Sequence, residues 1–95
     1  MNLIRRIIRH FNLKTKWHEQ KEKEMRDSFN DLQIGDMVIY IGPPIKQFTY
    51  GQLYIIRMRG QHNLVLVNDQ NHSHYISEEF ACASFCVCEG KYYQI

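Results

Sequence analysis

Residues 35–56 read GDMVIYIGPPIKQFTYGQLYII, and across them the spacing of apolar side chains changes from that of helices to that of strands. Met37–Ile41 and Gln52–Arg59 are short runs rich in β-branched and aromatic residues, each bounded by turn residues, so two strands are predicted. The GPPIKQFTYG segment between them is a long loop bounded by Gly42 and Gly51, because Pro43-Pro44 lacks the N–H groups that a ladder requires. Working toward the C-terminus, the same texture predicts strands at Asn63–Asn68, His74–Ser77 and Phe85–Cys88. Gly60-Gln61-His62 and Asp69-Gln70-Asn71-His72 are connections of hairpin length. Ser77 precedes Glu78-Glu79-Phe80 and is placed to cap one helical turn before the last strand.

Upstream of Gly35 the pattern is helical. Ile4, Ile7, Ile8 and Phe11 follow the i, i+3, i+4, i+7 rule, with Arg5, Arg6 and Arg9 off that stripe, so the N-terminus is an amphipathic basic helix. Residues 15–28 continue it or form a second, mostly solvated helix, on which Trp17, Met25, Phe29 and Leu32 share one side. Glu19/Lys23 and Glu22/Arg26 are i,i+4 pairs in the favourable order. The chain divides into a basic helical region, 1–32, and a strand-rich domain, 33–95.

With 95 residues, 44% of them hydrophobic and 13% aromatic, the chain has material for one core plus an appendage. Residues 1–26 hold eight Lys/Arg against three acids, and residues 27–95 hold four against seven, so the front is about +5 and the remainder about −3. No run approaches the about 18 apolar residues of a membrane span, and arginines interrupt the first eleven residues too often for a signal peptide. Three cysteines without a secretory signal fit a reducing compartment. An intracellular protein without stable membrane insertion is expected.

The order of parts, five short strands with a long loop after the first, two tight hairpins and a helical turn before the last, resembles an SH3-like barrel. Gly35-Asp36 leading the first strand, Gly42 ending it and Gly51 ahead of an aromatic-apolar alternation resemble the KOW-like branch of that fold. NLVLVNDQNHSHYISEEF, residues 63–80, looks like segments of small bacteriophage and prophage proteins. The resemblance covers roughly residues 33–88. It implies an α+β protein, an N-terminal amphipathic helical region followed by a five-stranded SH3-like barrel, acting in the cytoplasm of a bacterial host. The Ala-Leu-Tyr-Asp-Tyr type segment of peptide-binding SH3 domains is missing, so the fold does not imply polyproline binding. The cations of a nucleic-acid-binding KOW module are also thin, with Lys46, Arg57, Arg59 and Lys91 the only ones after residue 26.

Chemistry is weakly encoded. His72/His74 and Cys86/Cys88 are i,i+2 pairs from which a zinc site can be written, but the resemblance sends the fifth strand to pair with the first, away from the fourth, and no metal or other cofactor is expected. No motif supports a cysteine nucleophile, and adjacent Glu78 and Glu79 diverge on a helical turn, so no catalytic residues and no enzyme are expected.

Binding is better supported. Phe48 and Tyr50 concentrate in a loop that should be exposed, and aromatics are favoured interface anchors; the competing reading folds both back to plug the barrel. Along the second strand Tyr54, Ile56 and Met58 are taken as inward and Leu53 and Ile55 as outward; along the third, Val65 and Val67 inward and Leu64 and Leu66 outward. Such a hairpin is apolar on both faces and expects cover on its outer one. Packing or a dimer contact between Ile4, Ile7, Ile8 and Phe11 and Leu53, Ile55, Leu64 and Leu66 supplies it; a membrane surface and a nucleic-acid backbone are the other readings of the basic segment.

The function expected is that of a non-enzymatic protein-binding module, phage-encoded, accessory or inhibitory toward a bacterial host enzyme or defence component. Phe48, Tyr50, Arg5, Arg6 and Arg9 are the partner contacts, and homo-oligomers are compatible with the pattern. The alternative is a KOW-like nucleic-acid-binding or transcription-associated module working through the basic N-terminal helix.

Overall fold

A computed structural model describes residues 16–88. Helix α1 covers residues 16–28, and a 3-10 turn, Phe29–Asp31, ends it. Strands β1 (Met37–Tyr40), β2 (Leu53–Arg59), β3 (Asn63–Val67) and β4 (Ser73–Ser77) follow, then helix α2 (Glu78–Ser84) and strand β5 (Phe85–Val87). The strands form one curled antiparallel sheet in the order β4-β3-β2-β1-β5. The chain is therefore α+β, a helix leading into a five-stranded sheet whose last strand returns to pair with the first, as Val38 with Val87 and Tyr40 with Phe85.

Period-2 burial puts Val38 and Tyr40 of β1 and Tyr54 and Ile56 of β2 in the core. Met25 and Phe29 from α1 and its turn, with Leu32 just beyond, join the same cluster, so the described part of the helical region shares the sheet's core. Trp17 does not; it stays exposed, edge-on to His18 at 5.0 Å and under the Lys21 ammonium at 5.7 Å. The solvated side of α1 carries Arg26–Glu22 at 2.6 Å, as the spacing predicts, and Lys23 pairs forward with Asp27 at 3.1 Å. Ser77 caps α2, its Oγ accepting from Phe80 N–H at 3.1 Å. Asp36 closes the turn before β1 by accepting from Gln33 N–H at 2.9 Å.

One irregularity decides which face each side chain takes. Ile56 pairs with Leu66 and Met58 with Val65, so two steps along β2 match one along β3, and Arg57 is the extra residue of a bulge. After the bulge the alternation is inverted. Met58, expected inside, is 62% exposed, and Arg59 turns in opposite Leu64. The expected orientation of β3 is also corrected: Leu64 and Leu66 are fully buried core residues and no part of an outer face. Register with Ile56 and with the inward Ile76 of β4 fixes this, because a strand in mid-sheet takes its parity from its neighbours.

Candidate protein-recognition loop

The loop 42–51 is built from the core outward. Ile41, just after β1, is held on both sides: its N–H donates to Ser84 O at 2.8 Å, and His18 Nε2 approaches its carbonyl at 3.0 Å. Glycine is required at position 42, where a Cβ would lie 2.8 Å from the Tyr40 hydroxyl. That hydroxyl instead reaches on to donate to Pro43 O. At the far end Gly51 has a φ of 81°, a left-handed conformation costly for other residues, and its N–H returns to Tyr40 O at 2.7 Å.

Between these ends, Phe48 plunges into the core. It is 1% exposed, stacked on Tyr40 at 5.4 Å and ringed by Tyr54 at 5.0 Å, Phe85 at 5.2 Å and His74 at 4.9 Å. The expectation that Phe48 contacts a partner is therefore corrected. A large apolar ring gains more from burial among other aromatics than from exposure.

Asp69, from the β3–β4 turn, clamps the loop beside Phe48. Its Oδ1 accepts from the Tyr54 hydroxyl at 2.7 Å, its Oδ2 accepts from Thr49 Oγ1 at 2.6 Å, and its own N–H donates to Gln47 O at 2.8 Å. The Tyr54 oxygen in turn accepts from Thr49 N–H at 2.7 Å, so the hydroxyl both gives and receives. The turn that carries Asp69 is itself fixed by the buried Asn68, whose Oδ1 accepts from Gln70 N–H and His72 N–H, each at 3.0 Å. Asn71 adopts a φ of 63° there, a conformation asparagine tolerates.

The clamped loop presents two large apolar side chains beside the exposed Lys46: Tyr50 is 52% exposed and Ile45 42%. Of the expected partner contacts, Tyr50 is at the surface and Phe48 is buried in the core, while Arg5, Arg6 and Arg9 lie outside the described residues. Ile4, Ile7, Ile8 and Phe11 lie outside them too. The outer sheet face is nonetheless apolar, with Leu53 and Ile55 as expected, and with Met58, Val65 and Tyr75 in place of the two leucines. Period-2 reading of SHYIS around the inward Ile76 would have located Tyr75; the bonds of Asp69 join residues 15 to 22 apart and leave no local signal.

Cys82 and Cys86 are buried, which suits them as small apolar side chains rather than nucleophiles. Cys86 and Cys88 belong to the β5 edge and His72 and His74 to the β4 edge, opposite ends of the strand order. Among the described residues no group of three or more His, Cys, Asp or Glu could hold a metal ion, and no helix is long and apolar enough to cross a membrane.

Desolvation pushes up the thiols of Cys82 and Cys86 and the phenols of Tyr40 and Tyr54; the Asp69 carboxylate pushes Tyr54 further, against the pull of Thr49 N–H. All four hold their protons in the folded chain at pH values where the unfolded chain has begun to lose them. Their contribution is complete below the unfolded values and is lost as pH rises toward the folded ones. The urea midpoint should thus fall once pH passes about 9, the start of the ordinary thiol and phenol range. A midpoint unaltered between neutral pH and about 10.5 would contradict this assignment.

Compared with protein-family models, curated proteins and solved structures, the chain matches none of them.

Proposed function

We propose that this chain is a non-enzymatic protein-binding module on an SH3-like barrel, with the loop 42–51 as its recognition element. The observation that carries the reading is the clamp: Phe48, Thr49 and Asp69 hold the loop while Ile45 and Tyr50 stand at its surface. A loop fixed before binding loses little conformational freedom on binding, and tyrosine is among the residues that most often anchor interfaces. The return of β5 to β1 after a short helix supports the barrel reading. The phage-type resemblance of residues 63–80 supports the narrower one, an accessory or inhibitory protein acting on a bacterial host factor.

Nucleic-acid binding through the described surface is less favoured. Lys21, Lys23 and Arg26 are in ion pairs along α1, and the Arg59 guanidinium is turned onto Phe29.

The test is capture from bacterial lysate with the full chain and with Tyr50→Ala. A specific host protein should be retained by the first and bound at least about tenfold more weakly by the second, at unchanged thermal midpoint. Equal retention by both would refute the loop. Binding to random DNA that falls steeply with salt would favour the KOW-like alternative.

A further inference from the structure

Among the described residues, strand β4 stands at one end of the strand order and is paired with β3 alone. The bond from Asn68 N–H to His72 O, at 2.9 Å, sets the phase of that ladder. Bonded pairs in an antiparallel ladder recur at every second residue, so Leu66 with His74 and Leu64 with Ile76 are the bonded pairs. The main-chain groups of Ser73, Tyr75 and Ser77 consequently point away from β3. Protein sheets usually blunt such an edge with lysine, proline, an inward charge or a bulge. The edge here, SHYIS, has none of these and runs in unbroken register with β3. Tyr75, at its centre, is 66% exposed.

We propose that β4 is a self-association edge, through which two copies of this chain pair antiparallel about a two-fold axis at Tyr75. That symmetry places Ser73 opposite Ser77 and His74 opposite Ile76. It is also the register in which edge-facing groups meet edge-facing groups. Tyr75 exchanges both main-chain bonds with its own copy, and each Ser77 N–H meets a Ser73 carbonyl; the Ser77 carbonyl, at the N-cap of α2, is left to that helix. A slip by one residue would oppose edge-facing groups to inward-bonded ones.

Side chains agree with the register. Met58, Val65 and Tyr75 are successive cross-strand neighbours on the outer face, and the pairing continues that apolar row across the axis into the same residues of the second copy. No Lys, Arg, Asp or Glu lies within β4 to repel its copy, and the exposed His72 of one chain falls beside the Glu78-Glu79 turn of the other. Tyr50 lies outside β4 and is not among the residues that the pairing brings together, so Tyr50→Ala leaves the association intact.

Sedimentation of the full chain from micromolar to near-millimolar concentration should show the mass doubling. With it, the amides of Tyr75 and Ser77 should become protected from hydrogen exchange. Tyr75→Lys changes an exposed position, so circular dichroism and thermal midpoint should hold while the dimer weakens at least about tenfold. A monomer at every concentration would overturn the proposal. A dimer in which those two amides stay unprotected would do so as well, because it would be formed by another surface.

Discussion

Replacing Phe48 by alanine is expected to remove about 3–5 kcal/mol of folding stability, the range for deleting a buried phenylalanine ring. The ring is 1% exposed and lies within 5.4 Å of the Tyr40, Tyr54, Phe85 and His74 rings, centroid to centroid. Two of those neighbours cannot collapse into the space easily, since Tyr40 is tied to Pro43 O and Tyr54 to Asp69. Single domains have a total stability of only about 5–15 kcal/mol, so the variant should be partly unfolded at room temperature or close to it. Phe48→Leu keeps most of the volume and should lose about half as much. Urea denaturation of both variants measures the difference. A loss below about 1 kcal/mol for Phe48→Ala would mean that the loop is not anchored as described. In that event Tyr50 would also lack a fixed platform, and the recognition reading would fall with it.

The position of Phe48 shows where sequence reading stops. Strands, hairpins and the capped turn at Ser77 were legible, because each depends on local chemistry: β-branched runs, a proline pair, a serine ahead of two glutamates; the return of the last strand to the first was implied only by the resemblance to SH3-like barrels. The choice between Phe48 outside and Phe48 as a plug was not, since it depends on whether Tyr40, Tyr54 and Phe85 converge on the same point. Orientation along β2 and β3 failed for a related reason. Period-2 alternation carries side-chain direction only while the register is unbroken, and the extra residue Arg57 inverts it without any glycine or proline to announce the bulge. The loss was partial: an apolar outer face was anticipated from Leu53 and Ile55, and it is present, completed by Val65, Met58 and Tyr75 rather than by the two leucines.

That bulge has a structural purpose, which makes Arg59 the position of the second large effect. Without it the alternation would send Arg59 outward; with it the guanidinium lies 4.2 Å above the Phe29 ring. From there its Nε donates to Leu32 O at 3.1 Å and its Nη2 to Phe29 O at 2.8 Å, and Nη1 donates to Gly60 O. Phe29 and Leu32 lie at and just beyond the end of α1, where a cation is favoured; Phe29 O also accepts from Leu32 N–H at 3.1 Å. One side chain of β2 thus fastens the helix to the sheet. Arg59→Ala takes the guanidinium donor from Leu32 O, leaves Phe29 O with Leu32 N–H alone, and uncovers one face of Phe29, which is otherwise wholly buried. The expected loss is about 2–4 kcal/mol, from charged hydrogen bonds together with a partly desolvated cation–π contact. Arg59→Lys retains the charge but cannot span both carbonyls, so it should recover less than half of the loss. Hydrogen exchange separates this mechanism from general destabilisation: amides of residues 18–28 should lose protection ahead of those in β1 and β2. If helix and sheet amides weaken together, or if Arg59→Ala stays within about 1 kcal/mol of the parent, the guanidinium is not what holds α1 in place.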